Sequence, residues 1–164
     1  WEKPPEGAIK VNFDGSKNSH SAAGGYVVRD WSGHLLLAGA FNLGAASILV
    51  AEATAMRNGL RAAIEAGFNN IHIEGDNKTL IQAVQRHIQP PWEIQVLVQD
   101  ILFFLQKCNH VTVNHIFREG NRAADWVAKL GLSLSSTRLW SQPCHLDLQR
   151  ILSEDNLGYT LARR

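Results

Sequence analysis

Cysteine is scarce in this chain: Cys108 and Cys144 are the only two in 164 residues, far apart and without the spacing of a metal knuckle or a redox motif. That excludes a disulfide framework and leaves two reduced thiols as the expectation, in an intracellular protein, nuclear or cytoplasmic. No apolar run approaches the roughly 20 residues that a membrane-spanning helix needs, so no membrane partner is expected. Internal repeats and low-complexity stretches are lacking, which excludes a repeat architecture. Neither sign of charge is in excess: 16 Lys and Arg against 15 Asp and Glu give a formal +1, and bulk charge names no partner. An initiator methionine, a signal peptide and a transit-like segment are also lacking, so the chain is expected to be a fragment of something longer or a trimmed form.

What is there suits one globular domain. Hydrophobic residues make up 45% and charged residues 19%, in a chain long enough to bury roughly two-thirds of its unfolded surface. After the lead-in WEKPPEG (1–7), Ile9, Val11 and Phe13 alternate with Lys10 and Asn12, the period of a half-buried strand that ends on Asp14. Gly15 to Ser21 reads as a turn, and AAGGYVVRD and HLLLAGAFN read as two strands joined by Trp31-Ser32-Gly33. Ile48 to Ala66 is rich in Ala, free of Pro and followed by Gly67, the pattern of a long helix. Its stripe of Ala51, Ala55, Gly59, Ala62 and Ala66 suits close packing on a sheet, with Glu52 beside the head of the stripe.

NIHIEGD is a fourth strand and Asn77 to Gln85 a short helix; Pro90-Pro91 then breaks the chain before a helix from Trp92 to Cys108. Trp92 is expected to staple the start of that helix into the core. HVTVNHIF alternates as a fifth strand, and Asn121 caps a last helix through RAADWVAKL to Gly131. Three strands in succession argue for antiparallel order, and the later strand-helix alternation for parallel additions through right-handed crossovers. The expected fold is α/β, a five-stranded mixed sheet flanked by helices over residues 8–132. A C-terminal extension, 133–164, follows, in which LDLQRIL predicts one short helix.

The first strand ends in NFDGS and the fourth in EGDN, which sets Asp14 and Asp76 at the carboxyl ends of neighbouring parallel strands, where open α/β sheets bind ligands. Strands lie roughly 4.8 Å apart, so two ionised carboxylates there repel, and a divalent cation is the economical counter-charge. Glu52 on the long helix and Asp125 in the first turn of the last one are natural further ligands. With those acids committed to metal, the remaining surface around Lys17, Arg29, Lys78, Arg86, Arg118, Arg122 and Lys129 is basic and suits an anionic polymer. Taken singly, each acid also fits turn or helix-cap chemistry.

Through KVNFDGS, AEATAM, IEGDN and NRAADWVAK the sequence resembles the ribonuclease H family. It looks most like the ribonuclease-H-like domain of plant non-LTR retrotransposon polyproteins. The family's Asp, Glu, Asp, Asp pattern falls on Asp14, Glu52, Asp76 and Asp125. The resemblance implies a two-metal hydrolase that cuts the RNA strand of an RNA/DNA hybrid, with Mg²⁺ as cofactor and Mn²⁺ able to substitute. It further implies that Asp14 bridges the ions, that Asp125 completes the one activating water, and that Glu52 and Asp76 hold the one at the leaving group. Gly15, Ser16, Asn77, Lys78, Arg118 and Arg122 are the expected nucleic-acid contacts, in a domain that is monomeric and part of a larger polyprotein.

Three features depart from the family pattern. The connection REGN (118–121) has no histidine, and His115, earlier on the strand, is expected to pack or hydrogen-bond there. The residues before Glu52 are apolar Ile48, Leu49 and Val50, not polar readers of a ribose hydroxyl. No Lys or Arg lies between Gln89 and Gln106, where some members carry a basic protrusion.

Overall fold

The computed structural model describes residues 1–142 and 145–159; Cys144 lies outside them, and Cys108 is a free, partly buried thiol. Strands β1 (Ile9–Lys17), β2 (Ala22–Arg29), β3 (Leu35–Gly44), β4 (Asn70–Gly75), β5 (His110–His115) and β6 (Arg138–Trp140) form one mixed sheet in the order β5-β4-β1-β2-β3-β6. β1 pairs antiparallel with β2 and parallel with β4, and β4 pairs parallel with β5, as the crossover pattern requires. Helices α1 (Ile48–Glu65), α2 (Lys78–Val84), α3 (Gln95–Leu105), α4 (Arg122–Gly131) and α5 (Leu146–Asn156) complete the chain. Among the described residues no helix is long and apolar enough to cross a membrane.

Alternation along the strands divides the core between the two faces of the sheet. Ile9, Val11, Phe13, Tyr26 and Val28 pack with Met56 and Leu60 of α1 and with α2 and α3. Val27, Ala38 and Ala40 point the other way and pack with Ala123 and Val127 of α4 and Leu148, Ile151 and Leu152 of α5. α1 starts on Ser47, whose side chain accepts from the Val50 amide, and ends before Gly67, whose φ of +93° only glycine adopts freely. Its small-residue stripe is buried at Ala51, Ala55 and Gly59; the helical period then carries burial to Ala63, leaving Ala66 exposed.

The structure corrects several expectations. β1 does not stop at Asp14: Gly15, Ser16 and Lys17 stay in register with Gly24, Ala23 and Ala22. The turn is confined to the residues after them, where the Asn18 side chain accepts from the amides of His20 and Ser21. The sheet has six strands instead of five, because Arg138–Trp140, too short to show a period, pairs with Ala38–Ala40. Trp92 is 85% exposed; Ile94 takes the core position at the helix entry. Asn121 sits at the N-cap of α4 without capping it, since its side-chain amide donates to the Phe13 carbonyl instead.

Arg29 is no surface cation. It is 1% exposed, its Nη1 donates to Asp155 of α5 at 2.7 Å, and Trp1 stacks on its guanidinium at 3.8 Å. Trp1 also donates its indole N–H to Asn12, so lead-in and C-terminal helix meet on one face of the sheet.

Candidate metal centre

Two strands that run parallel and then part make the site. The β1–β4 ladder ends on the pair Asn12 and Glu74, and Asp14 and Asp76 each lie two residues further on. Asp14 remains in β1, opposite Gly25 of β2, while Asp76 follows β4 at the entry to α2. Glu52 arrives from the second turn of α1, and Gly15 lets it come close: a Cβ on Gly15 would lie 2.9 Å from the Glu52 amide nitrogen. On the opposite side, a Cβ on Gly25 would meet the Ala128 amide nitrogen at 2.5 Å, so α4 also rests directly on the strands.

The result is that one oxygen from each of Asp14, Glu52 and Asp76 lies within 4.8 Å of the other two. Asp14 is 4% and Glu52 5% exposed, which leaves little water to screen their repulsion. Burial first, then the Asp76 charge, pushes the Asp14 carboxyl up to about 7. Burial first, then the Asp14 charge, pushes Glu52 up to about 10, and a proton held between the two carboxyls adds to this. Asp76 is also raised, chiefly by burial, with the Arg118 charge opposing. Among the described residues Glu52 Oε2 is buried without a hydrogen-bond partner.

Three converging carboxylates, one with an orphaned buried oxygen, and no Cys or His among them are the donor set of a hard divalent cation. The residues fit such an ion, which would relieve both the repulsion and the orphaned oxygen.

Of the four expected acids, the structure brings three together and holds the fourth at the rim. Asp125 is paired with Lys129 at 2.8 Å and with Arg118 at 3.5 Å. It is near enough for its charge to raise both Asp14 and Asp76. The Gly15 amide donates to Asp14 Oδ1 at 2.9 Å, and Ser16 follows, partly buried, in β1. Asn77 caps α2 by accepting from the Leu80 amide, beside exposed Lys78. Arg118 is exposed, whereas Arg122 is mostly buried and donates to Glu154 of α5 at 2.7 Å. The exposed His115 ring makes a 3.2 Å hydrogen bond with the Asp76 carbonyl.

Three residues have roles that no local pattern marks. Asn121 ties the start of α4 to the carbonyl before Asp14, and nothing local in NRAAD marks a partner 108 residues away. Trp126 and Ile151, with Arg122, line a cavity between α4 and α5 that exists only once the C-terminal segment has docked.

A family model described as reverse transcriptase-like matches residues 12–131, and the chain belongs to that family. Its fold is that of ribonuclease H: it superposes on the RNase H1 of the halophilic archaeon Halobacterium salinarum with a TM-score of 0.73 and 24% identity, over 77% of this chain and 98% of that one. LC11-RNase H1, solved in complex with RNA/DNA hybrid, superposes with a TM-score of 0.70 and 19% identity, over 76% and 96% of the two chains. The protease-reverse transcriptase of prototype foamy virus does so with a TM-score of 0.62 and 16% identity, over 82% of this chain and 22% of that one. In sequence the chain is 32% identical over 166 residues to a protein of Arabidopsis thaliana provisionally named a ribonuclease H protein. That match takes in 100% of this chain and 27% of its relative, so the chain spans about a quarter of the relative's length.

Proposed function

We propose that the chain is a metal-dependent endonuclease that hydrolyses the RNA strand of RNA/DNA hybrids. The observation that carries the reading is the convergence of Asp14, Glu52 and Asp76 within 4.8 Å at the parting of β1 and β4. The name of the Arabidopsis relative and the hybrid bound by LC11-RNase H1 support it. Asp14, Glu52, Asp76 and Asp125 would hold Mg²⁺, with Mn²⁺ able to substitute. When bound, the metal would supply a water acidic enough to attack at neutral pH and a positive charge for the leaving oxygen.

The chain's own residues do the rest. The Gly15 amide holds Asp14 by one oxygen. Burial and mutual repulsion hold Glu52 and Asp14 above the ordinary carboxylate range, so a cation held by them would favour their charged forms. Gly15, Ser16, Asn77, Lys78, Arg118 and Arg122 would contact ribose and phosphate. The domain would act as a monomeric part of a longer polyprotein, on hybrids made by a polymerase elsewhere in it.

Cleavage of an end-labelled RNA/DNA hybrid, beside RNA duplex, DNA duplex and single-stranded RNA, with Mg²⁺ or Mn²⁺, tests the reading. Hybrid-selective cutting that Asp76→Asn loses is the expected result. Cutting of another substrate in preference, or none by folded protein, overturns it. A second reading, a nucleic-acid-binding module that keeps the fold but cleaves weakly, draws on one observation: Asp125 is engaged by Lys129 and Arg118 instead of joining the triad.

A further inference from the structure

Ile94, Val98 and Ile101 turn one side of α3 into the core, and Arg57 of α1 pairs with Asp100 at 3.2 Å. The other side is apolar and faces solvent. Trp92, in the single turn that leads into α3, is 85% exposed, Val96 69% and Phe103 57%. Their spacing sets them on one stripe of the helix. Gln95, Gln99 and Gln106 are exposed around them, and from Gln89 to Gln106 there is no Lys or Arg. Large apolar side chains that line up, instead of lying scattered, mark a docking surface, and one without cations does not suit a nucleic-acid strand.

The charges at the two ends of the stripe tell what fits it. Glu93 stands at the start, and Lys107 at the end, its Nζ 4.6 Å from the centre of the Phe103 ring. A second copy laid antiparallel, with a two-fold axis between positions 99 and 100, sets Val96 against Phe103 and Trp92 against Lys107, each contact made twice. Glu93 then meets the end that carries Lys107, and the ammonium gains the face of Trp92. Parallel pairing would set Glu93 against Glu93 and Lys107 against Lys107. Gln99, at the middle of the stripe, is uncharged and meets its own copy without repulsion.

We propose that the outer face of α3 is an interface between two copies of this chain, paired antiparallel through Trp92, Val96 and Phe103. One helix from each copy makes it a small, transient interface, roughly 1,000 Å² in all. Asp14, Glu52, Asp76 and Asp125 all lie in one copy, so each remains a complete monomeric unit at its metal centre. Pairing links two such units and does not depend on what they cleave.

Sedimentation velocity on the whole chain, over about 1 to 500 µM, tests the proposal. A concentration-dependent shift from monomer to dimer is expected. Val96→Asp, at a position too exposed to unfold the domain, is expected to weaken pairing roughly tenfold or more, with circular dichroism unchanged. Glu93→Lys alone and Lys107→Glu alone are expected to weaken it several-fold, and the double variant, which exchanges the two charges, to recover most of that loss. A dimer that Val96→Asp leaves intact uses another face and overturns the proposal. A chain that is monomeric throughout the series also overturns it and leaves the α3 face to a different protein. A double variant weaker than either single one overturns the antiparallel arrangement.

Discussion

The side-chain amide of Asn121 donates a 2.9 Å hydrogen bond to the backbone carbonyl of Phe13, the residue before Asp14. The bond is fully buried and joins the first residue ahead of α4 to the strand that carries the central carboxylate. It sets where Asp125, four residues further on, stands relative to Asp14. Asn121→Ala leaves the Phe13 carbonyl without its donor, a cost of about 1–3 kcal/mol. Urea unfolding is expected to register that loss, and hybrid cleavage at a temperature where the variant is folded is expected to fall further than stability accounts for. Full cleavage by the folded variant would separate Asn121 from the placement of Asp125.

The carboxylate cluster makes metal-free stability depend on pH in a direction opposite to ordinary acids. Burial and mutual repulsion raise Asp14 from 3.8 to about 7 and Glu52 from 4.5 to about 10. The folded protein therefore holds protons that the unfolded chain releases. This stability is fully present below the unfolded values and is lost as pH rises through about 7 for Asp14 and toward about 10 for Glu52. Metal-free Tm is expected to decline between those limits, and Mg²⁺ to restore it at neutral pH by binding the deprotonated form. Glu52→Gln should flatten the decline and remove the Mg²⁺ shift in a thermal scan. A decline unchanged in that variant would assign it to other groups.

Docking of the C-terminal segment hangs on a buried pair. Arg29 and Asp155, with side chains 1% and 2% exposed, meet at 2.7 Å. Asp155→Ala leaves the guanidinium buried without its counter-charge and is expected to cost roughly 3–5 kcal/mol in urea unfolding. Replacing both, Arg29→Met with Asp155→Leu, removes the charge as well as its partner and should cost much less. A loss under about 1 kcal/mol for Asp155→Ala would mean that α5 is held by its apolar face and the Arg122–Glu154 pair without need of Arg29.

His115 bonds the backbone carbonyl of Asp76 and packs edge-on against Phe117, with its ring centroid 5.8 Å from that of Phe117. Neither contact gives it a proton to move at a carboxylate oxygen. Single-turnover cleavage by His115→Ala is expected to stay within a few-fold of the unaltered chain. A loss of several hundred-fold would make it a proton-transfer residue.

Much of this was legible from residues close in the chain. Ile9, Val11 and Phe13 alternate because one face of β1 is core, and Gly67 ends α1 because the chain there needs positive φ. Asp14 and Asp76 stand out because each follows an apolar alternating run, although β1 goes on past Asp14 to Lys17, and Glu52 because it lies beside the head of a stripe of small residues. Those are short-range patterns, set by backbone period and by what a side chain can bury.

Other features have no local signature, because they are long-range choices among partners. Asn121 looks like a cap and spends its amide on Phe13; Arg29 looks like a surface cation and is buried by Asp155, 126 residues later. β6 is three residues, and Trp92 stays in solvent because Ile94 already fills the core. By itself the sequence determined the order of the elements from β1 to α4 and which acids they carry. Only the tertiary structure decided that three of those acids meet within 4.8 Å while Asp125 is held at the rim by Lys129 and Arg118. The physical reason is that approach at a site is set by packing: Gly15 under α1, Gly25 under α4 and α5 against the sheet settle distances that no residue's own preferences contain.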